Sequence, residues 1–382
     1  MPPYPGDHYG SSGRRWPVVL AALVAVGTAA GGLVVARGAL RPAGRAAFTA
    51  GTVGTPTAGP AVRAPASRER PAAAARITLA FAGDVHFAGR VRALLDEPAS
   101  AFGPVSGVLS RADLAMVNLE TAITERGTAE PKQFTFRAPA AAFGALRAAG
   151  VDVATMANNH GADYGPVGLA DSLAAMRAAR FPVVGLGADA DAAYAPWLGT
   201  VGGHRVAILA ASQIRDHTLS AWTAGAGSPG IASAYSDRLV AAVRAARLVA
   251  EVVVVYLHWG VEGQECPSAD QRGVAAALSG AGADAVVGTH AHLLLGGGYL
   301  GRAYVGYGLG NFLWWRDNAF SNDTGVLTLT FRGRQVESAR LVPAHIDGTG
   351  RPVPTAGDDS ARVLRTWDRV RACSGLAATP GR

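Results

Sequence analysis

The sequence has 382 residues, 49% of them hydrophobic, enough for one large domain or two ordinary ones with a sizeable core. Its 49 glycines follow no G-X-Y period and no short repeat appears, which excludes collagen-like and solenoid architectures. The net charge of +7 is concentrated in residues 1–75, where eight arginines against two acids give +6; the +1 left over supplies no basic face, so nucleic acid is excluded as a partner.

Residues 16–36, WPVVLAALVAVGTAAGGLVVA, contain no charge and number 21, enough for a helix to cross a ~30 Å hydrocarbon core. They are read as a single-pass signal-anchor in the cytoplasmic membrane, with 1–15 as a cytoplasmic tail and everything after the span extracytoplasmic. Arginines flank both ends (Arg14, Arg15, Arg37, Arg41), so charge does not set the orientation; the short segment before the span and the long one after it do. Cleavage near VVARGAL, releasing a secreted domain, is the alternative, and no Cys follows the span as a lipoprotein would require. Residues 37–75 are rich in Ala, Pro, Gly, Thr and Arg without apolar period, the composition of a disordered linker.

A globular domain is expected over 76–345. Apolar runs predict strands at 77–82, 114–117, 151–156, 205–211, 252–257, 285–287 and 304–307. Helical spacing predicts helices at 140–149, 166–179, 236–250 and 268–278, with Pro166 in a first turn and Ser236–Asp237 as a cap. A hairpin pattern at 326–331 and 336–342 surrounds the turn residues Arg332 and Gly333, so the class is α/β with antiparallel strands near its end. Residues 346–382 read as a C-terminal tail. The two cysteines, Cys266 and Cys373, lie too far apart for a metal knuckle. They are either unrelated thiols or, outside the cytoplasm, a disulfide tethering that tail; a loop of roughly 100 residues closed this way stabilises by about a few kcal/mol in the chain-entropy model.

The polar residues suited to chemistry fall just after predicted strands: Asp84 and His86, then Glu120, then Asn158, Asn159 and His160, then His258, then His290 and His292. Ligands of open α/β sheets bind beyond the carboxyl ends of the strands, so these five segments are expected to converge. Carboxylate, amide oxygen and imidazole without thiolate make a shell for Mn, Fe or Zn. Two such divalent ions against two carboxylates leave positive charge to hold an anionic substrate and acidify a water. His8, His204, His217 and His345 fall outside these segments and read as surface or structural residues. Trp259, Trp314 and Trp315 read either as groove-lining or as packing residues.

The segments FAGDVHFAGR, DLAMVNLETAIT, ATMANNHGADYGPVGL, VVVYLHWGVEGQECPSADQ, AVVGTHAH and VGYGLGNFLW resemble, in order, the motifs of the CapA (PgsA-type, poly-γ-glutamate capsule) family, related to calcineurin-like metallophosphoesterases. The resemblance implies a metallophosphatase-like four-layer α/β/β/α sandwich with a dinuclear site. By that similarity one ion takes Asp84, His86, Glu120 and His292, and the other Glu120, Asn159, His258 and His290, with Glu120 bridging. His160 is then the general acid, oriented by Asp163; Arg90 and Asn311 contact the substrate anion, and Glu262 and Gln271 stand behind the ligands. The implied function is handling of an anionic envelope polymer or phosphoester beside membrane-bound capsule synthesis proteins. Two readings stay open: a metal-dependent phosphoesterase-like hydrolase, and a non-enzymatic assembly or export factor whose metal site is structural or binds the polymer.

Overall fold

The computed structural model describes residues 75–314 and 321–381. The span at 16–36, its flanks, nearly all of the linker and Trp315 lie outside the described residues. Among the described residues no helix is long and apolar enough to cross a membrane.

Two sheets form the centre. In the first, the strand Arg76–Val85 runs parallel to Leu114–Leu119, which is followed outward by the parallel strands Val153–Thr155 and Val183–Val184. On its other side the antiparallel strands Asp323–Arg332, Gln335–Ile346 and Pro352–Pro354 extend the sheet. The second sheet places Val252–Trp259 between His204–Ser212 and Ala285–His290, all parallel. Ala303–Gly306 continues it in parallel, and the antiparallel strands Trp197–Val201 and Gly297–Leu300 close its two edges.

Why the apolar runs are continuous rather than alternating follows from burial on both faces. Leu79 and Phe81 point into a core shared with Ile208, Val254 and Tyr256 of the second sheet, whereas Ala80 and Ala82 face Phe143, Leu146 and Leu169 on helices Ala141–Ala148 and Gly165–Ala179. Val253 and Val255 turn the other way, toward Leu239, Val243 and Leu278 on helices Asp237–Val249 and Ala269–Ala281. The layers are therefore helix, sheet, sheet, helix, and each fully buried aliphatic or Phe side chain contributes about 1.5–3 kcal/mol to holding them. Helix starts follow local chemistry: the Ser236 side chain accepts from Arg238 N, and Ser268 with Gln271 makes a capping box.

The segment read as a tail contains a further element. Helix Gly357–Arg371 buries Val363, Trp367 and Val370, and the first two enter the core between the sheets. The Cys266 and Cys373 sulfurs are bonded, joining positions 107 residues apart, and Arg369 pairs with Glu265 at 2.9 Å beside the bridge. The helix went unread because its three buried positions sit among charged residues, while the short strand Asn311–Leu313, parallel to the end of Arg76–Val85, has too few residues to show a period.

Candidate metal centre

The strand Arg76–Val85 delivers Asp84 through Gly83. A Cβ on Gly83 would lie 1.9 Å from the Gly310 carbonyl oxygen, so only glycine lets the two chains pass. Asp84 is fully buried: its Oδ1 accepts from Asn118 Nδ2 at 2.7 Å and from Thr289 Oγ1 at 2.5 Å. Thr289 belongs to the second sheet, so this contact joins the carboxyl ends of both sheets. Asn118 and Glu120 are two residues apart and near-extended, and Asn118 Nδ2 also lies 3.2 Å from Glu120 Oε2. The Asn118 side-chain oxygen Oδ1 in turn accepts from Asn158 Nδ2 at 2.8 Å.

Four donors meet at one point. His258 Nε2 lies 2.7 Å from Asn159 Oδ1, 3.0 Å from His290 Nδ1 and 3.7 Å from Glu120 Oε1. Glu120, His258 and His290 are all buried and form a group that can hold a metal ion. His290 has φ 100° and His292 φ 59°, left-handed values costing on the order of 1–3 kcal/mol each that bring both rings of the H-x-H pair to this edge. Two imidazoles, an amide oxygen and a carboxylate gathered around His258 Nε2 are the ligand types of a borderline divalent cation, and the residues present fit one.

The electrostatics agree. Burial drives His258 well below the usual imidazole value, helped by His290. Burial and the neighbouring His292 push His290 down to about 3, so both rings are neutral, the form that coordinates. Burial raises Asp84, and burial together with the Asp84 charge raises Glu120 well above the ordinary carboxylate range. Two buried acids crowded together are costly as anions until a cation joins them.

His160 stands at the rim of this cluster. Its Nε2 is 3.8 Å from Glu120 Oε1 and its Nδ1 is 2.5 Å from Asp163 Oδ2. Asp163 also accepts from Phe136 N at 2.7 Å and from Lys132 Nζ at 2.7 Å. Lys132 reaches the Asn159 carbonyl as well, and Thr218 Oγ1 at 3.1 Å. Burial lowers the His160 pKa, against the opposing pull of Asp163.

The remaining expected residues are distributed less simply. His292 Nδ1 is 3.9 Å from Asp84 Oδ2 and 2.7 Å from Asn311 Oδ1, which leaves its Nε2 facing Glu262 Oε1 at 3.8 Å. Asn311 is fully buried behind that ring and holds it in place, so the structure sets it against His292 where a substrate contact was expected. His86 is boxed by Phe136, stacked at 4.5 Å, and by the edge of Trp314 at 4.3 Å. Its Nδ1 accepts from Ala88 N at 3.0 Å, so in the neutral ring Nε2 holds the proton and coordination takes an exchange of tautomer. Arg90 is exposed near the start of the 3-10 helix Gly89–Asp96. Gln271 closes its capping box, and Trp259 donates to the Tyr307 carbonyl within the core.

Sequence reasoning passed over Asn118, Lys132, Phe136 and Thr289. Two of these had a signal: Asn118 shares a strand face with Glu120, and Lys132 is the single lysine in a chain whose other basic residues are arginines. A compact ammonium turns its three donors toward acceptors in different directions, whereas a guanidinium holds its donors in one plane.

Two sheets meeting at their carboxyl ends over a buried cluster of acids, amides and imidazoles define a class: layered α/β proteins with a metal-binding group where the sheets join. Within that class, the chain belongs to the family of the bacterial capsule synthesis protein PGA_cap, which it matches over residues 78–314. It is similar to the capsule biosynthesis protein CapA of Bacillus anthracis, 28% identical over 76% of this chain and 72% of that protein. The PGA biosynthesis protein CapA of Bacillus subtilis is 25% identical, over 76% of this chain and 77% of the relative. Among solved structures, a novel phosphatase from Mycoplasma pneumoniae aligns with a TM-score of 0.45 at 13% identity, covering 76% of this chain and 97% of the other.

Proposed function

We propose that this protein is a metal-dependent hydrolase of the phosphoesterase kind, acting in the synthesis or export of poly-γ-glutamate or another anionic envelope polymer. In this reading it is held at the cytoplasmic membrane by residues 16–36, with its domain outside, alongside membrane-bound capsule synthesis proteins. The observation that supports it most is the convergence of Glu120, Asn159, His258 and His290 donor atoms around one point, with a general acid candidate beside them. Glu120, Asn159, His258 and His290 would hold one ion, and Asp84 with His292, and His86 after its tautomer exchange, a second shared through Glu120. Bound divalent ions supply Lewis acidity and a counter-charge for the substrate anion.

The chain's own residues do the rest. Asn118 fixes both carboxylates, Asp163 aims the His160 ring by its Nδ1, and Lys132 locks Asp163. His160 Nε2, left facing the cluster, would give a proton to a leaving oxygen from the doubly protonated ring, the form that the Asp163 carboxylate favours against burial. The test is turnover of an aryl phosphate or phosphodiester by the metal-loaded chain. His160→Ala is expected to cut kcat by about 10²–10⁴-fold while metal content holds; an inert wild-type protein, or an unaffected variant, refutes the hydrolase.

A second reading, an assembly or export factor that binds the polymer without cleaving it, is favoured by the names of relatives in Mycobacterium tuberculosis. One of them, 31% identical over 55% of this chain, is described as a probable polyglutamine synthesis accessory protein. Polymer binding that depends on Glu120 and His258, without hydrolysis, distinguishes it.

A further inference from the structure

A cleft of about 370 Å³ opens beside the metal centre, and the described residues assign it no part in coordination. Its walls are chain neighbours of the site. Thr135 and Arg137 flank Phe136, whose ring stacks on His86 at 4.5 Å and on His160 at 4.1 Å, and Tyr164 follows Asp163. Ala88, which also lines the cleft, donates its N–H to His86 Nδ1 at 3.0 Å, so an occupant lies beside one of the groups that would hold the metal.

The charges inside are unequal. Arg92 is already paired with Glu125 at 3.0 Å. Arg137 has no carboxylate partner among the described residues; its guanidinium carbon lies 4.9 Å over the centre of the Tyr164 ring, and the side chain is exposed. A ring attracts a guanidinium through its face and leaves the N–H donors free, in the fork that matches a carboxylate. Two arginines and one glutamate leave a single positive charge, which suits a monoanion and disfavours a group of higher charge.

We propose that this cleft is an anion subsite centred on Arg137, taking the carboxylate of one unit of an extended polyanion while an adjoining unit sits at the metal centre. The inference rests on reading that centre as a polyanion-handling site. It adds a contact for the unit next to the one at the centre, and the side chain, Arg137, that makes it.

The experiment compares the affinity of the metal-loaded full chain for a short glutamate oligomer with its affinity for glutamate itself, in wild type, Arg137→Gln and Tyr164→Leu. Loss of one charge-assisted contact is expected to weaken oligomer binding by about tenfold or more in Arg137→Gln. Tyr164→Leu, which keeps the charge but removes its seat, should weaken it in the same direction, with glutamate binding, metal content and melting temperature unmoved in both. Arg137→Lys should restore the preference only in part, because an ammonium lacks the fork. Unchanged oligomer affinity in Arg137→Gln, equal losses for oligomer and monomer, or tighter binding of a short polyphosphate than of the glutamate oligomer overturns the assignment. Absence of phosphoester turnover defeats the hydrolase reading alone, since the oligomer comparison needs no catalysis.

Discussion

Asn118 spends one amide group on both acids of the centre, 2.7 Å from Asp84 and 3.2 Å from Glu120. Groups that orient ligands in this way typically matter to metal affinity by about 10–100-fold, so Asn118→Ala should weaken binding by that factor while the fold persists. Competition against a chelating dye measures it, and an affinity equal to wild type would contradict the role. The same acids set a pH dependence. Burial raises Asp84 and Glu120, so the folded, cation-free protein holds protons that the unfolded chain releases near about pH 4. Their contribution to stability is thus full below that value and is lost as pH rises through the raised folded pKa. A bound cation displaces those protons and removes the loss, so the gap between loaded and stripped melting curves should widen from about pH 4 toward pH 8. Opposite contributions come from Asp323, where bonds from Arg362 and His345 outweigh burial and lower the pKa, but they are common to both curves and cancel in the difference. A gap independent of pH would show that these carboxylates are not where the cation binds.

Helix Gly357–Arg371 and the loop after His258 act as one unit, joined by the Cys266–Cys373 bond and the Arg369–Glu265 pair. The ion pair lies at the surface, where solvent screens it. The covalent closure of a long loop contributes more, about 2–5 kcal/mol. Cys373→Ser should therefore lower the melting temperature and speed hydrogen exchange in the helix and in the segment around Glu262, without loss of the ion held by Glu120, His258 and His290. A reductant that leaves the melting temperature unchanged would show the helix to be secured by Val363, Trp367 and Val370 alone.

At the scale of the whole chain, charge and hydropathy are segregated: a basic N-terminal region with an uncharged apolar run at 16–36 precedes a nearly neutral domain. If residues 16–36 anchor the protein, the full chain should sediment with membranes and resist extraction by high salt, whereas a chain starting at residue 76 should stay in the supernatant. Salt release of the full chain would point to arginines on anionic lipid instead of a spanning helix. The layered domain brings the two sheet ends together, so each half of the centre depends on the other. Thr289 of the second sheet bonds Asp84 of the first across 205 residues of sequence.

Much of this arrangement was legible in the residues themselves. Strands buried on both faces must be apolar at every position, so their places were readable, and polar residues directly after them had to gather at the sheet ends. What a side chain faces once there is a different matter, because its partners come from strands far away in sequence. Only the folded chain decided that His86 lies in an aromatic box with Nδ1 turned to the backbone, that Asn311 backs His292, that Gln271 caps a helix, and that Lys132 reaches Asp163 and Asn159 together. Periodicity records which face of an element is buried, whereas the direction of a ring and the pairing of an amide are set by packing among elements that no local pattern relates.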